Sequence, residues 1–435
     1  MTLLEKIRSK KAIVCVVGAG YVGLPTALLF TEKGFTVIAA DKNPRVVDLT
    51  NRGESHINDP ELSVRVPKAL ESGRLSATVD VTEAVRKSDA VLVCVPTPAE
   101  NKQPDLGFVR HCGKEIGSGL QKGTLVVLES TVYPGVTENV LGSILEKQSG
   151  MKKGSDFFLA HCPERLNPGD VKHTIDNTPR IVGGINDASL RAAKALYESV
   201  GLSMHAVPDM HTAELVKLVE NTQRDVNIAF INEMALLCEK IGVDVKELVE
   251  ACGTKWNFYK LLPGPGVGGH CLPNNPYYIA KKAKEVGFDP KLMLLARKRN
   301  DEMPLHVVEL LEEGLKKAGK KIQGTRIALV GVAYKANVDD VRQAPSRTIA
   351  EVLRQKGADL VITDPHVSDV NLRKVHDRIV PLQEALSADA VVFLCAHDAY
   401  KKIKSADVKA HVVVDAAFLF KPGQFKGVYK RVGLG

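Results

Sequence analysis

Residues 12–23 read AIVCVVGAGYVG, and no other stretch restricts the fold as much. An apolar run ends in Gly18-x-Gly20-x-x-Gly23, the helix-like segment LPTALLFTEKG follows, and TVIAAD at 36–41 forms a second strand closed by an acid. Strand, glycine turn, helix, strand and acid in that order mark a dinucleotide-binding βαβ unit. Gly18 permits the tight turn, Gly20 lets a pyrophosphate reach the helix N-terminus, and Gly23 lets helix and strand pack closely. Asp41 can accept hydrogen bonds from the adenosine ribose hydroxyls and repels a 2′-phosphate, which favours NAD over NADP. The competing reading is a glycine-rich turn that binds nothing.

Further parallel strands are expected at 89–98, 124–131, 157–164 and 180–184, each a continuous apolar run of the kind buried on both faces. Small or polar residues stand at their C-terminal ends, where open α/β sheets bind ligands. Thr97, Thr131 and Glu164 should therefore face one crevice, although each Thr also reads as a helix cap. From 209 to 242 helical spacing takes over, with Leu215, Leu218, Val219, Val226, Phe230, Met234, Leu237 and Ile241 among the apolar positions. A helix of that length spans roughly 45–50 Å and suits a connector between domains and a dimer seam. Lys217 and Asn221 share one of its faces, as a site or as a solvated polar surface.

Residues 261–278, LLPGPGVGGHCLPNNPYY, surround Cys271 with prolines that forbid a regular helix and glycines that bare the backbone. The stretch is either a rigid loop presenting a nucleophilic thiol or a Pro/Gly turn with a buried cysteine. Residues 291–320 read as two helices broken at Pro304. The strand-and-glycine pattern returns at 326–335 with Gly331 alone, followed by ADLVITDPH, ADAVVFLCAHD and HVVVDAA. The expected fold class is α/β: two Rossmann-like domains, 1–205 and 319–435, joined by a helical domain at 206–318 with a long central helix.

A chain of 435 residues with 44% hydrophobic and 25% charged residues is an ordinary multidomain globular protein. Its net charge of +8 is scattered, which points to anionic small molecules and away from nucleic acid. No signal peptide or membrane span is expected. Eight cysteines without regular spacing suit reduced thiols in the cytoplasm. His111-Cys112, His161-Cys162 and His270-Cys271 invite a zinc site, but adjacent ligands seldom close one tetrahedron, so no metal is expected. A Cys-His hydrolase would leave the dinucleotide fingerprint unexplained.

Seven motifs occur in order: GxGYVG at 18–23, VPTP at 95–98, ESTVYPG at 129–135, PERL at 163–166, KxxxN at 217–221, GxGGHC at 266–271 and YKANVDDVR at 334–342. Together they resemble the UDP-glucose/GDP-mannose dehydrogenase family over essentially the whole chain. PGPGVGGHC, with TKWNF at 254–258, is most similar to the branch acting on UDP-N-acetylhexosamines. The resemblance implies a homodimeric enzyme that oxidises the sugar C6 alcohol to a carboxylate with two NAD+, through a cysteine thiohemiacetal and thioester. The substrate would be UDP-N-acetylglucosamine or UDP-N-acetylmannosamine; UDP-glucose, or a catalytically impaired binder of NAD and nucleotide sugar, is the alternative.

Carried onto this chain, the resemblance makes Cys271 the nucleophile. Lys217 and Asn221 would hold the C6 oxygen, and Glu164 would assist proton transfer. Gly18, Gly20, Tyr21, Val22, Gly23, Asp41, Thr97, Thr131 and Arg342 fall to the cofactor. Glu164, Arg165, Leu166, Lys217, Asn221, Tyr259, Lys260, Gly268 and Lys335 fall to the nucleotide sugar, with Lys255 a looser match to a residue lent across the dimer. The chain departs from the family pattern twice: Asn275 stands where an aspartate is usual, and Gln343 where an acid follows Arg342. Asn275 cannot take a proton, so the water-activation step loses its expected base.

Overall fold

The computed structural model describes residues 1–57, 59–100, 102–165 and 177–435. They form two compact units, one of Met1–Glu220 with Tyr277–Phe288, the other of Asn221–Pro276 with Asp289–Gly435.

The first unit is built on an eight-stranded sheet, in the order β10-β9-β8-β7-β4-β1-β2-β3. Its strands are β1 (Ile13–Val17), β2 (Thr36–Ala40), β3 (Leu75–Thr78), β4 (Ala90–Val93), β7 (Leu125–Leu128), β8 (Phe158–His161), β9 (Arg180–Gly184) and β10 (Met204–Ala206), while β5 (Ala99–Glu100) and β6 (Gln103–Pro104) make a separate small hairpin. The alternating pleat sends Val14, Val16, Leu92 and Val127 into one core, and Cys15, Val17, Val93 and Leu128 into another. Helices cover both faces, which is why the central strands read as unbroken apolar runs. Each fully buried Val or Leu contributes about 1.5–3 kcal/mol.

Strand order reverses between β1 and β4, so the crevice for a ligand opens at their C-terminal ends. One expectation is corrected here. Residues 180–184 form a strand, but β9 pairs antiparallel to β8. Its N-terminal residue, Arg180, therefore lies at the same sheet edge as the C-terminal end of β8. An apolar run encodes burial on both faces and leaves chain direction open.

The second unit carries a parallel five-stranded sheet, ordered β12-β11-β13-β14-β15. Its strands are β11 (Arg326–Val330), β12 (Asp359–Thr363), β13 (Ala390–Phe393), β14 (Val412–Asp415) and β15 (Val428–Arg431). Again the pleat divides the residues, Ile327 and Leu329 to one core, Ala328 and Val330 to the other. Residues Lys291–Lys317 form one continuous helix with Pro304 inside it, correcting the expected break. Proline has no N–H to offer the Asn300 carbonyl, four residues back. The notch is filled by a loop, since a Cβ on Gly266 would lie 3.2 Å from both that carbonyl oxygen and the Pro304 ring.

The long helix spans Met210–Ile241 and supplies residues to both units. Leu218 is buried, whereas Leu215, Val219, Phe230, Leu237 and Ile241 are exposed. Among the described residues no helix is long and apolar enough to cross a membrane.

Candidate functional site

In the first unit the glycine turn has the steric form its sequence requires. Gly23 sits so close beneath the turn that a Cβ there would lie 1.8 Å from the Gly18 carbonyl oxygen, while beside Gly20 nothing stands within 4 Å. The helix Gly23–Glu32 follows the N-cap Val22 with no side-chain cap; the Leu24 N–H donates to the Gly20 carbonyl at 3.0 Å and Pro25 has no N–H, and Tyr21 is exposed. Asp41 follows β2, and its carboxylate accepts from the Ala19 N–H at 2.8 Å and the Asn43 N–H at 2.9 Å, which fixes it beside the turn. These residues suit a dinucleotide: open backbone at Gly20 beside a helix N-terminus for the pyrophosphate, a fixed carboxylate for a ribose diol.

Thr97 and Thr131 are brought together, as their strand ends predict. The Thr97 hydroxyl donates to the Thr131 carbonyl at 2.7 Å, and the Tyr278 hydroxyl donates to the Thr97 carbonyl. Tyr278 is 1% exposed and pins the crevice wall, a role its sequence did not signal.

Glu164 is held from three directions. Its carboxylate accepts from the Arg165 N–H at 2.7 Å and from the Arg180 guanidinium, and its main-chain carbonyl accepts from the Lys217 ammonium. Lys217 and Glu164 are both buried. Arg180 also reaches the Glu129 carboxylate at 3.3 Å, to which the Tyr197 hydroxyl donates at 2.6 Å and the Cys94 thiol at 3.5 Å. Burial pushes the Glu129 carboxyl above its ordinary range; Arg180 pulls it down, and Glu164 pushes it up again. Two carboxylates thus share one buried guanidinium beneath the crevice. The sequence hint was faint: Glu129 closes an apolar strand, and Arg180 opens another. Arg165 pairs with Glu220, and Leu166 lies outside the described residues.

In the second unit Cys271 is exposed at the end of a loop fixed along its length. Gly268 lies against the 334–343 segment so closely that a Cβ would stand 2.6 Å from the Tyr334 Cβ and 2.9 Å from the Gln343 carbonyl oxygen. The Gly269 N–H donates to the Arg342 carbonyl at 2.8 Å. Beyond the thiol, the Cys271 carbonyl accepts from the N–H groups of Asn274 and Asn275, at 3.2 and 3.0 Å. Asn274 donates to the His270 carbonyl at 2.7 Å and accepts from the Gln343 amide at 3.2 Å. Burial and the Arg342 charge push the His270 imidazole below its ordinary pKa, so the residue beside the thiol is neutral at pH 7.

Asn221 donates to the Asn275 side-chain oxygen at 2.6 Å, and Asn275 is 3% exposed. The position expected to carry an acid is thus half of a neutral amide pair. Arg342 pairs with Asp340 at 2.6 Å and is exposed. Tyr259 and Lys260 are exposed, and Lys335 is half-buried. Asp364, after β12, occupies the place that Asp41 holds in the first sheet, but it accepts from the N–H groups of Val332 and Ala333 at 2.8 and 3.0 Å and pairs with buried His397 at 2.9 Å. That carboxylate is spent within the fold, which gives the weak second fingerprint a physical meaning.

Comparison with known proteins agrees with this arrangement. Three models of the UDP-glucose/GDP-mannose dehydrogenase family match in order: the NAD binding domain over residues 12–201, the central domain over 211–302 and the UDP binding domain over 328–422. The chain is 35% identical to the UDP-N-acetyl-D-mannosamine dehydrogenase of Pyrococcus horikoshii, over 97% of this chain and 99% of that one. It is also 35% identical to the UDP-N-acetyl-D-glucosamine 6-dehydrogenase of Pseudomonas aeruginosa, over 93% and 96%. The solved structure of the UDP-D-ManNAc dehydrogenase from Pyrococcus horikoshii superposes with a TM-score of 0.90 at 34% identity, covering 97% of this chain and 99% of that one. The glycine turn with its acid, the loop that presents an exposed thiol and these end-to-end matches agree: the chain belongs to the UDP-glucose/GDP-mannose dehydrogenase family, and NAD is its cofactor.

Proposed function

We propose that the chain oxidises the C6 hydroxyl of a UDP-N-acetylhexosamine, UDP-N-acetylglucosamine or UDP-N-acetylmannosamine, to the carboxylate. The names of the similar enzymes support the substrate class. Cys271 carries the reading: of eight cysteines it is the exposed one, and the others are buried or half-buried. A thiol set on a fixed loop in water suits a nucleophile, whereas burial alone would explain the rest.

Bound NAD+ supplies a hydride acceptor, used twice per sugar. The residues proposed to hold it are Gly18, Gly20, Tyr21, Val22, Gly23, Asp41, Thr97, Thr131 and Arg342. Lys217 and Asn221 bind the C6 oxygen and stabilise its developing charge in the first oxidation. The Cys271 sulfur then adds to the aldehyde carbon, forming a C–S bond as the carbonyl oxygen takes up a proton. The second oxidation turns this thiohemiacetal into a thioester. Water adds to the thioester carbon, the C–S bond breaks, and the thiol and a carboxylate are released with one proton. Glu164 is already engaged by Arg180, and Asn275 is neutral, so thioester hydrolysis is the slow step in this reading. Arg165, Leu166, Tyr259, Lys260, Gly268 and Lys335 are assigned to the nucleotide sugar. The three segments 1–205, 206–318 and 319–435 then divide the labour as cofactor, catalytic and UDP-sugar domains.

The exposed apolar side chains of the long helix support a homodimer paired along it, and the free cysteines support a reducing cytoplasmic setting. Incubation with NAD+ and each of UDP-N-acetylglucosamine, UDP-N-acetylmannosamine and UDP-glucose tests the substrate. NADH formation fastest with an acetamido sugar is expected, and a preference for UDP-glucose would overturn the assignment.

A further inference from the structure

Behind the Cys271 loop, inside the second unit, lies a chain of buried polar side chains that the reaction above does not use. Arg297 and Asp225 form an ion pair at 2.5 Å with their side chains 1% and 0% exposed. The Asn300 amide donates to the Asp225 carboxylate and to the Asp225 carbonyl, both at 2.9 Å. The Asn300 side-chain oxygen accepts from the Asn232 amide at 2.8 Å, and the Asn232 oxygen accepts from the Gly264 N–H at 3.0 Å. Asn232 and Asn300 are fully buried.

Each link has one permitted direction. The carboxylate can only accept, so it orients the Asn300 amide; Asn300 then presents an oxygen and orients Asn232; Asn232 presents an oxygen to a backbone donor. The series ends on the loop that carries Cys271. Asn300 meets that loop at a second point, because its carbonyl, freed by Pro304, faces Gly266. A buried ion pair and two fully buried asparagines are expensive for a fold that needs only a core, where apolar residues of similar volume would serve. They make sense as a device for setting backbone position.

We infer that Asn232 and Asn300 are positioning residues: they transmit the fixed orientation of the Arg297–Asp225 pair to Gly264 and so hold the loop in the conformation that presents the Cys271 thiol. The role in turnover rests on the reading of Cys271 as nucleophile; the mechanical role does not.

The test uses the full chain with Asn232→Ala, Asn300→Ala and the double variant. Amide exchange of the peptide covering 261–272 is followed by mass spectrometry, with the β11 and β13 peptides as controls for folding. Exchange of the loop peptide should rise by about fivefold or more in either single variant, the size that one lost hydrogen bond carries, with the controls unchanged. kcat should fall by a similar factor while KM for NAD+ holds. The double variant should be no worse than the worse single, because both break one series. If Asn232→Ala does not fold, Asn232→Asp keeps the acceptor for Gly264 but loses the donor to Asn300, and should show the same loosening. Loop exchange equal to the parent, or independent effects that multiply in the double variant, would overturn the inference. Should the parent oxidise no nucleotide sugar, the exchange data still decide the mechanical role, so failure of the function and failure of the relay are separable.

Discussion

Replacing Arg180 by Met removes a buried guanidinium that bridges Glu129 and Glu164. The Arg180 and Glu129 side chains are 1% and 0% exposed, so water cannot take over the charge. Breaking a buried pair by deleting one partner costs about 3–5 kcal/mol. In a unit of this size that lowers the melting temperature by on the order of 10 °C. The loss should depend on pH with a definite sign. Glu129 already titrates above its ordinary range in the folded protein, and without Arg180 it titrates higher still. A carboxyl whose folded pKa exceeds its unfolded value binds its proton more tightly in the folded state. Stability therefore falls as pH rises through the window between the two values. Thermal unfolding of Arg180→Met at pH 5.5 and pH 8 should show the larger loss at pH 8. Adding Glu129→Gln removes one of the opposed charges, keeps an oxygen for the Tyr197 hydroxyl, and should recover part of the loss at pH 8. An equal loss at both pH values, or a double variant that sums the two single losses, would refute the view that Arg180 serves to neutralise the carboxylates.

Cys271→Ser should reduce uronate formation by several orders of magnitude while NAD+ binding, followed by fluorescence titration, stays at the parent level, since a hydroxyl is a far weaker nucleophile at neutral pH. Near-normal acid formation would remove the thiol from the mechanism. Lys217→Ala should cost about 100-fold or more in kcat and leave cofactor affinity within a few-fold, whereas lost NAD+ binding would show the residue to be misassigned. Gly268→Ala places a methyl carbon 2.6 Å from the Tyr334 Cβ, and urea unfolding should register a loss of about 1–3 kcal/mol or more. A neutral result would mean the loop yields freely there.

The sheets were legible because β1, β2, β4, β7 and β11–β14 bury both faces and their apolar runs say so. In the two large sheets the strands without a sequence signal, β3, β10 and β15, end the sheets and carry half-exposed or short sequences such as LSAT and MHA, in which burial leaves little pattern; the two-residue strands β5 and β6 are shorter still. Pro304 reads as a helix break in a single sequence, whereas in the fold the helix runs through it with Gly266 of a distant loop close beside the proline and the Asn300 carbonyl. The glycine turn and Asp41 were readable because steric and electrostatic demands there act within one short segment. Glu164 reads from the sequence as a polar residue at a strand end, but its anchor does not, because Arg180 reaches it through an antiparallel strand whose direction the apolar run does not encode. The relay from Asp225 to Gly264 is invisible in the sequence on other grounds: Asp225 and Asn232 on one helix, and Arg297 and Asn300 on another, each read as a solvated face until the two helices pack together. Asn275 was seen as a departure, and its burial against Asn221 adds that the site has filled the position with a neutral hydrogen-bonding pair.

The central claim is that one chain carries out two successive oxidations on one carbon, with Cys271 holding the intermediate between them. Its most direct test is the stoichiometry of a reaction run to completion with limiting UDP-N-acetylglucosamine or UDP-N-acetylmannosamine and excess NAD+. NADH is measured by absorbance, and the sugar product by mass spectrometry. Two NADH per sugar, with the C6 uronate as product, is the predicted result. One NADH per sugar with released aldehyde, or no NADH with either sugar, would contradict it.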